Sequence, residues 1–249
     1  MSILAVLLIA VGVSDLSRRE RTPPWLPLLV GPLAVLVLGL LAGLGSPAEV
    51  LLLVLVGVIT VAWTVLVRRT RTYGIPQPWP LAVLLGGAAL MIALSGLAGP
   101  AGGWLGDWLR ASPWSGLADL EPDRFLLLAG LFVLQLSTGN ELVRLVLGGV
   151  GAIKPAGQPQ AADQLRGGRL LGPLERVFIL GLGLAGQVTA AGLVIAAKGL
   201  IRFPELSARR SDATRINGIG IDEVTEYFLL GSFVSWLVSL AALGIAHLG

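Results

Sequence analysis

Glu175, Arg176, Gln187, Lys198 and Arg202 interrupt the apolar stretch 167–203, and their types include those that bind anions or move protons. A carboxylate can act as general acid or base, and a guanidinium grips phosphate with its planar fork. A second group, Asn140, Glu141 and Arg144, sits in the preceding apolar stretch. On a helix Asn140 and Glu141 lie at i, i+4 and i, i+3 from the arginine, so both reach its guanidinium. Read as one helix, 167–203 puts Glu175 and Lys198 about 34 Å apart, at opposite membrane boundaries where they cannot pair, with Gln187 near the midplane. Arg176, Gln187 and Lys198 then point within about 40° of one another, and Gly183, Ala190 and Ala191 share that side. Such a stripe is expected to face neighbouring helices or a cavity, because lipid satisfies none of it. Asn140, Glu141, Arg144, Arg169, Glu175 and Arg176 are expected to gather at the inner mouth of a bundle. Lys198 and Arg202 are expected to meet Glu226 on the outer side. The duller readings are boundary charges that snorkel, and a single interhelical hydrogen bond at Gln187.

The elements that must carry these residues are apolar helices. The chain has 249 residues, 55% hydrophobic and 13% charged, about half the charge usual in soluble domains. Its solvent is therefore mostly lipid. The pattern predicts an all-α polytopic transmembrane bundle of about seven spans, at 3–16, 25–44, 49–67, 79–97, 125–150, 170–201 and 224–247. Three regions follow: a four-span N-terminal region over 1–100, a connection over 101–124, and a C-terminal membrane region over 125–249. In the connection, Trp104, Leu105, Trp108 and Leu109 recur at helical spacing and read as a short interfacial helix. The connection 154–168 reads as mobile, and 203–222 as a charged loop. The N-terminal apolar stretch lacks a basic n-region and a clear cleavage site, so it reads as a short span rather than a cleaved signal.

The basic residues cluster beside apolar runs (Arg18, Arg19, Arg21; Arg68, Arg69, Arg71), which gives a net charge of +3 without implying nucleic acid. Counting them puts the N-terminus outside and the C-terminus in the cytoplasm; only Lys154 and Lys198 among 18 basic residues, with the Ala, Gly and Leu richness, read as a GC-rich bacterial coding bias and so as a bacterial inner membrane. That orientation strands Lys198 and Arg202 outside, unless 125–153, interrupted at Ser137–Thr138–Gly139–Asn140, is a re-entrant hairpin. There is no cysteine, and the single histidine is His247, so thiolate chemistry, cysteine-ligated metals and a histidine cluster within one chain are excluded. Gly181 to Gly186 fits GxGxxG but lies inside an apolar helix, where it reads as close packing rather than a dinucleotide site. Ser17 and Glu20 have capping-box spacing, but arginines follow instead of an apolar run. No cofactor and no metal are expected.

Four pieces, TGNELVRLVL, GGRLLGPLERVFIL, AAKGLIRF and EYFLLGSFVS, resemble in their order the DUF3307 family of uncharacterised bacterial membrane proteins. The resemblance covers the C-terminal half. It marks Asn140, Arg144, Arg169, Glu175, Arg176, Lys198, Arg202, Glu226 and Tyr227 as family-typical, and it brings no established activity.

Three functions fit these residues. Binding or transport of a small solute or lipid along the stripe ranks first, and a non-catalytic scaffold or partner subunit second. A membrane enzyme acting on a lipid-linked substrate ranks last, with Glu141 and Glu175 as acid/base groups and Arg144 and Arg176 on phosphate. The expected partners are the lipid bilayer, a lipid or small solute, and another protein or a second copy of the chain.

Overall fold

A computed structural model describes residues 1–18, 22–74, 76–153, 160, 168–211 and 221–249, with side chains except at 168–170, 201–211 and 221–223. The chain forms two compact units, one of Met1–Thr138 with Ala246–Gly249 and the other of Gly139–Ile245. The boundary between these units thus falls within the stretch expected as a fifth span.

In the first unit α1 (Ser2–Leu16) packs against α2 (Leu26–Leu41), α3 (Pro47–Tyr73), α4 (Pro78–Ala93) and α7 (Pro122–Leu136). A helix that is apolar on every side has to be surrounded, and Ile3 to Leu8 of α1 are almost wholly buried. The expected first span is therefore a central helix sheathed by protein. Gly12 and Gly130 allow α1 and α7 to touch: a Cβ on Gly12 would stand 2.5 Å from Val133 Cγ1, and one on Gly130 would stand 3.0 Å from Leu8 Cβ.

Proline opens α2, α3, α4 and α7, where its missing N–H costs nothing. Helix α3 also starts with a capping box: Ser46 Oγ accepts from the Glu49 N–H, and Glu49 accepts from the Ser46 N–H at 2.8 Å. The same carboxylate accepts the Gly99 N–H at 2.9 Å, fastening the segment after the 3₁₀ turn Ser95–Leu97. The expected interfacial helix is α5 (Gly103–Arg110), followed by the short α6 (Ser115–Ala118). Leu105 and Leu109 turn inward, while Trp104 and Trp108 stay exposed.

The second unit holds α8 (Thr138–Gly149), α9 (Gly168–Leu184), α10 (Val188–Ser211) and most of α11 (Ile221–Leu248). Here the sequence expectation fails in one decisive place. The stretch 167–203 is not one helix but two, reversing at Gly186, where φ is +74°. The Gln187 N–H donates to the Leu182 carbonyl at 2.8 Å and the Gly186 N–H to the Gly183 carbonyl at 3.0 Å. These are the two bonds of a Schellman cap, which needs a left-handed residue and so takes glycine. The Gln187 carbonyl then accepts from the Ala191 N–H and starts α10, which packs back on α9. The expected loop over 203–211 is a continuation of α10; the expected mobile connection 154–168 lies almost entirely outside the described residues.

Among the described residues, Pro47–Tyr73 and Val224–Leu248 are long and apolar enough to cross a membrane, and α7 with α8, bent by 50°, makes a third, broken candidate. Within the residues whose side chains are described, the other apolar helices run 10–17 residues, so two to three candidate spans stand where seven are expected. Gly249 lies against Leu127 and Met1. The chain ends thus sit together, against the expectation that they face opposite sides.

Candidate functional site: a buried polar seam

In the second unit Arg176 is 1% exposed. Its Nη1 donates to Ser235 Oγ of α11 at 3.0 Å, and its Nη2 donates to Asn140 Oδ1 of α8 at 2.7 Å. The guanidinium fits because glycine lies beside it. A Cβ on Gly139 would stand 2.6 Å from Arg176 Nε, and one on Gly172 would stand 3.5 Å from Nη1. The glycines of the TGNE and GRLLG pieces are thus the space an arginine occupies. Ser232, Ser235 and Ser239 are all buried, so the serine face of α11 is the packing seam that its spacing implies, with Ser235 also serving as acceptor.

One residue along α9, Glu175 Oε2 accepts from Lys198 Nζ at 2.6 Å, with side chains 9% and 13% exposed. Lys198 Nζ also lies 5.8 Å from the centre of the Phe228 ring, within cation–π range. The residues expected to be too distant to pair are therefore an ion pair, because the hairpin brings α10 back beside α9. Gln187, expected at the midplane, is exposed at the hairpin turn. The stripe through Arg176, Gln187 and Lys198 does not exist as a single helix face.

Glu141 accepts from Arg144 Nε at 3.0 Å, the i, i+3 pair expected from the spacing. Asn140, expected to serve the same arginine, presents its Oδ1 to Arg176. The partner found for Lys198 is Glu175; Glu226 is exposed on α11, on a shallow groove with Leu229, Leu230, Phe233 and Trp236. The side chains of Arg169 and Arg202 lie outside the described residues. Among the described residues no three His, Cys, Asp or Glu side chains gather as a metal would require.

The first unit holds a polar cluster that periodicity did not single out. Asp15 Oδ2 accepts from Thr138 Oγ1 at 2.8 Å and from the Trp63 indole N–H at 3.1 Å, while Arg18 lies 3.1 Å from Oδ1. Beside it Ser14 Oγ donates to the Pro27 carbonyl at 2.8 Å, and Thr64 Oγ1 lies 3.0 Å away. In sequence Asp15 stands only as the polar end of an apolar run. The signal for it was Thr60, Trp63 and Thr64, a half-polar face in the apolar body of α3 whose three residues are all buried.

Chemically, both clusters join neighbouring helices through polar contacts: Asp15 with Trp63 and Thr138, Arg176 with Asn140 and Ser235, and Glu175 with Lys198. Such an arrangement fixes helix positions and register. No family model, curated protein or solved structure matches this chain.

Proposed function

We propose that this chain is a multi-pass protein of the bacterial cytoplasmic membrane acting as a non-catalytic scaffold or partner subunit, and that its charged residues lock helices together. The observation that carries this reading is the matched seam: Arg176 with Asn140 and Ser235, and Glu175 with Lys198. Transport along a polar stripe, the first reading of the sequence, loses its support once Gln187 lies at an exposed turn. Catalysis by Glu175 would require breaking its contact with Lys198. Membership of the DUF3307 family is part of the proposal. Its support is that Asn140, Arg176, Lys198 and Ser235, one from each matching piece, contribute to a single neighbourhood.

The basic ends of α1 and α3 favour the cytoplasmic side. Both chain ends, lying at the other end of α1, then belong outside.

A charge swap tests the function. E175K/K198E keeps an ion pair while exchanging its chemistry. Under the scaffold reading K198E alone accumulates poorly in membranes and fails to complement a deletion strain, and the swap restores both. A swap variant that accumulates like wild type yet fails to complement would overturn the reading in favour of a binding or catalytic site.

A further inference from the structure

The outer face of the first unit carries a shallow apolar groove, and the α3 face that lines it continues to two exposed arginines. The groove, about 680 Å³, runs along the α2–α3 seam, lined by Pro32, Val54, Gly57, Val58, Val65 and Leu66 among others. Residues 54, 58, 61 and 65 recur at i+3 and i+4, so they form one face of α3. The next positions on that face are Arg68 and Arg69, both exposed. From Val54 to Leu66 the groove is about 18 Å long, comparable with the half-thickness of a roughly 30 Å hydrocarbon core.

Tryptophans mark the depth independently. Gly31 of α2 faces Thr60 of α3, and Gly87 of α4 faces Ile59. Counting along these antiparallel helices brings Trp25 and Trp79 level with Leu66 and Val67, and both are more than half exposed. At the other end the Gly102 N–H donates to the Ala42 carbonyl, so Trp104 and Trp108 of α5 flank the far boundary. Exposed Leu29, Leu33, Leu40, Leu51 and Leu85 fill the space between. From the Val67 level to the Val50 level is about 25 Å, close to a bilayer core, with tryptophan at each edge as interfaces favour.

We propose that an anionic phospholipid binds this unit, with its phosphate on Arg68 and Arg69 and one acyl chain in the α2–α3 groove. The site rests on the reading of the chain as membrane-embedded. It favours an anionic headgroup because the groove face continues to two guanidinium ions, which grip phosphate and whose two positive charges attract a headgroup of net negative charge over a zwitterionic one. It requires a chain because the lining below them is wholly apolar.

The test uses the full-length protein solubilised from membranes, given equal phosphatidylglycerol and phosphatidylcholine, with retained lipid read by native mass spectrometry. Wild type is expected to retain phosphatidylglycerol preferentially. R68Q/R69Q should lower that preference by about 30-fold, and R110Q, at the opposite end, should leave it unchanged. G57F should reduce retention of both lipids, since a Cβ on Gly57 points into open space and fills the groove without disturbing the fold. Unaltered preference in R68Q/R69Q, or unaltered retention in G57F, would overturn the site while leaving membrane embedding intact. Wild type released from membranes by alkaline extraction would overturn both.

Discussion

Removing Lys198 should cost more than any other single change in the second unit. Its ammonium and the Glu175 carboxylate are both nearly enclosed, so K198M leaves a carboxylate inside the bundle without its cation. Breaking one half of a buried pair typically costs about 3–5 kcal/mol, whereas replacing both halves by apolar groups is often neutral or stabilising. At about 2–4 °C per kcal/mol for a chain of this size, K198M should lower the melting temperature by roughly 6–20 °C. E175L/K198M should return most of that loss. Heating detergent-solubilised protein and reading the surviving monodisperse fraction by size exclusion measures both variants. K198M melting with wild type would refute the reasoning, and so would a double variant as unstable as the single one.

Three further outcomes follow. G139A should push the Arg176 guanidinium off Asn140 and Ser235 and cost about 1–3 kcal/mol, whereas G181A, with nothing near its Cβ, should be neutral or stabilise by up to about 1 kcal/mol; the same heating assay compares them, and equal effects would contradict the packing described. D15A strands the Trp63 and Thr138 donors at about 1–3 kcal/mol for each group, while D15N keeps an acceptor and should melt higher; an asparagine variant no better than alanine would argue against that network. Because the chain lacks cysteine, single cysteines at the exposed Gly45, Leu248 and Tyr73 can be labelled in intact cells with an impermeant maleimide. Gly45 and Leu248 should react alike and opposite to Tyr73; a difference between Gly45 and Leu248 would break the proposed topology.

Much of the architecture was readable because lipid-like helices announce themselves by length and by their starts. The stretches expected at 25–44, 49–67 and 79–97 correspond to α2, α3 and α4, each opened by proline. The amphipathic α5 was legible from its paired leucines and tryptophans, and the interruption at Ser137 from its polar run. The reversal at Gly186 was hidden for a physical reason. Both legs of the hairpin are apolar, so averaged hydropathy runs through the turn without a dip, and GLGLAGQ reads as a small-residue helix face. The local signal was a glycine followed by a polar residue able to start the next helix. Missing it turned an ion pair into two unrelated boundary charges and an exposed turn residue into a midplane polar group. It also left Lys198 at the far end of one long helix from Glu175, whereas the hairpin returns α10 along α9 to meet it. Asp15 was missed because its partners, Trp63 and Thr138, are distant in sequence, and no periodicity within one helix reports contacts between three.

The hairpin at Gly186 creates the Glu175–Lys198 pair, and spin labels at positions 175 and 198 test it directly. E175C/K198C, labelled with nitroxides in membranes, should show strong dipolar broadening, because the two side chains meet across α9 and α10. A separation near 34 Å, the distance along one unbroken helix, would contradict the hairpin and the seam built on it.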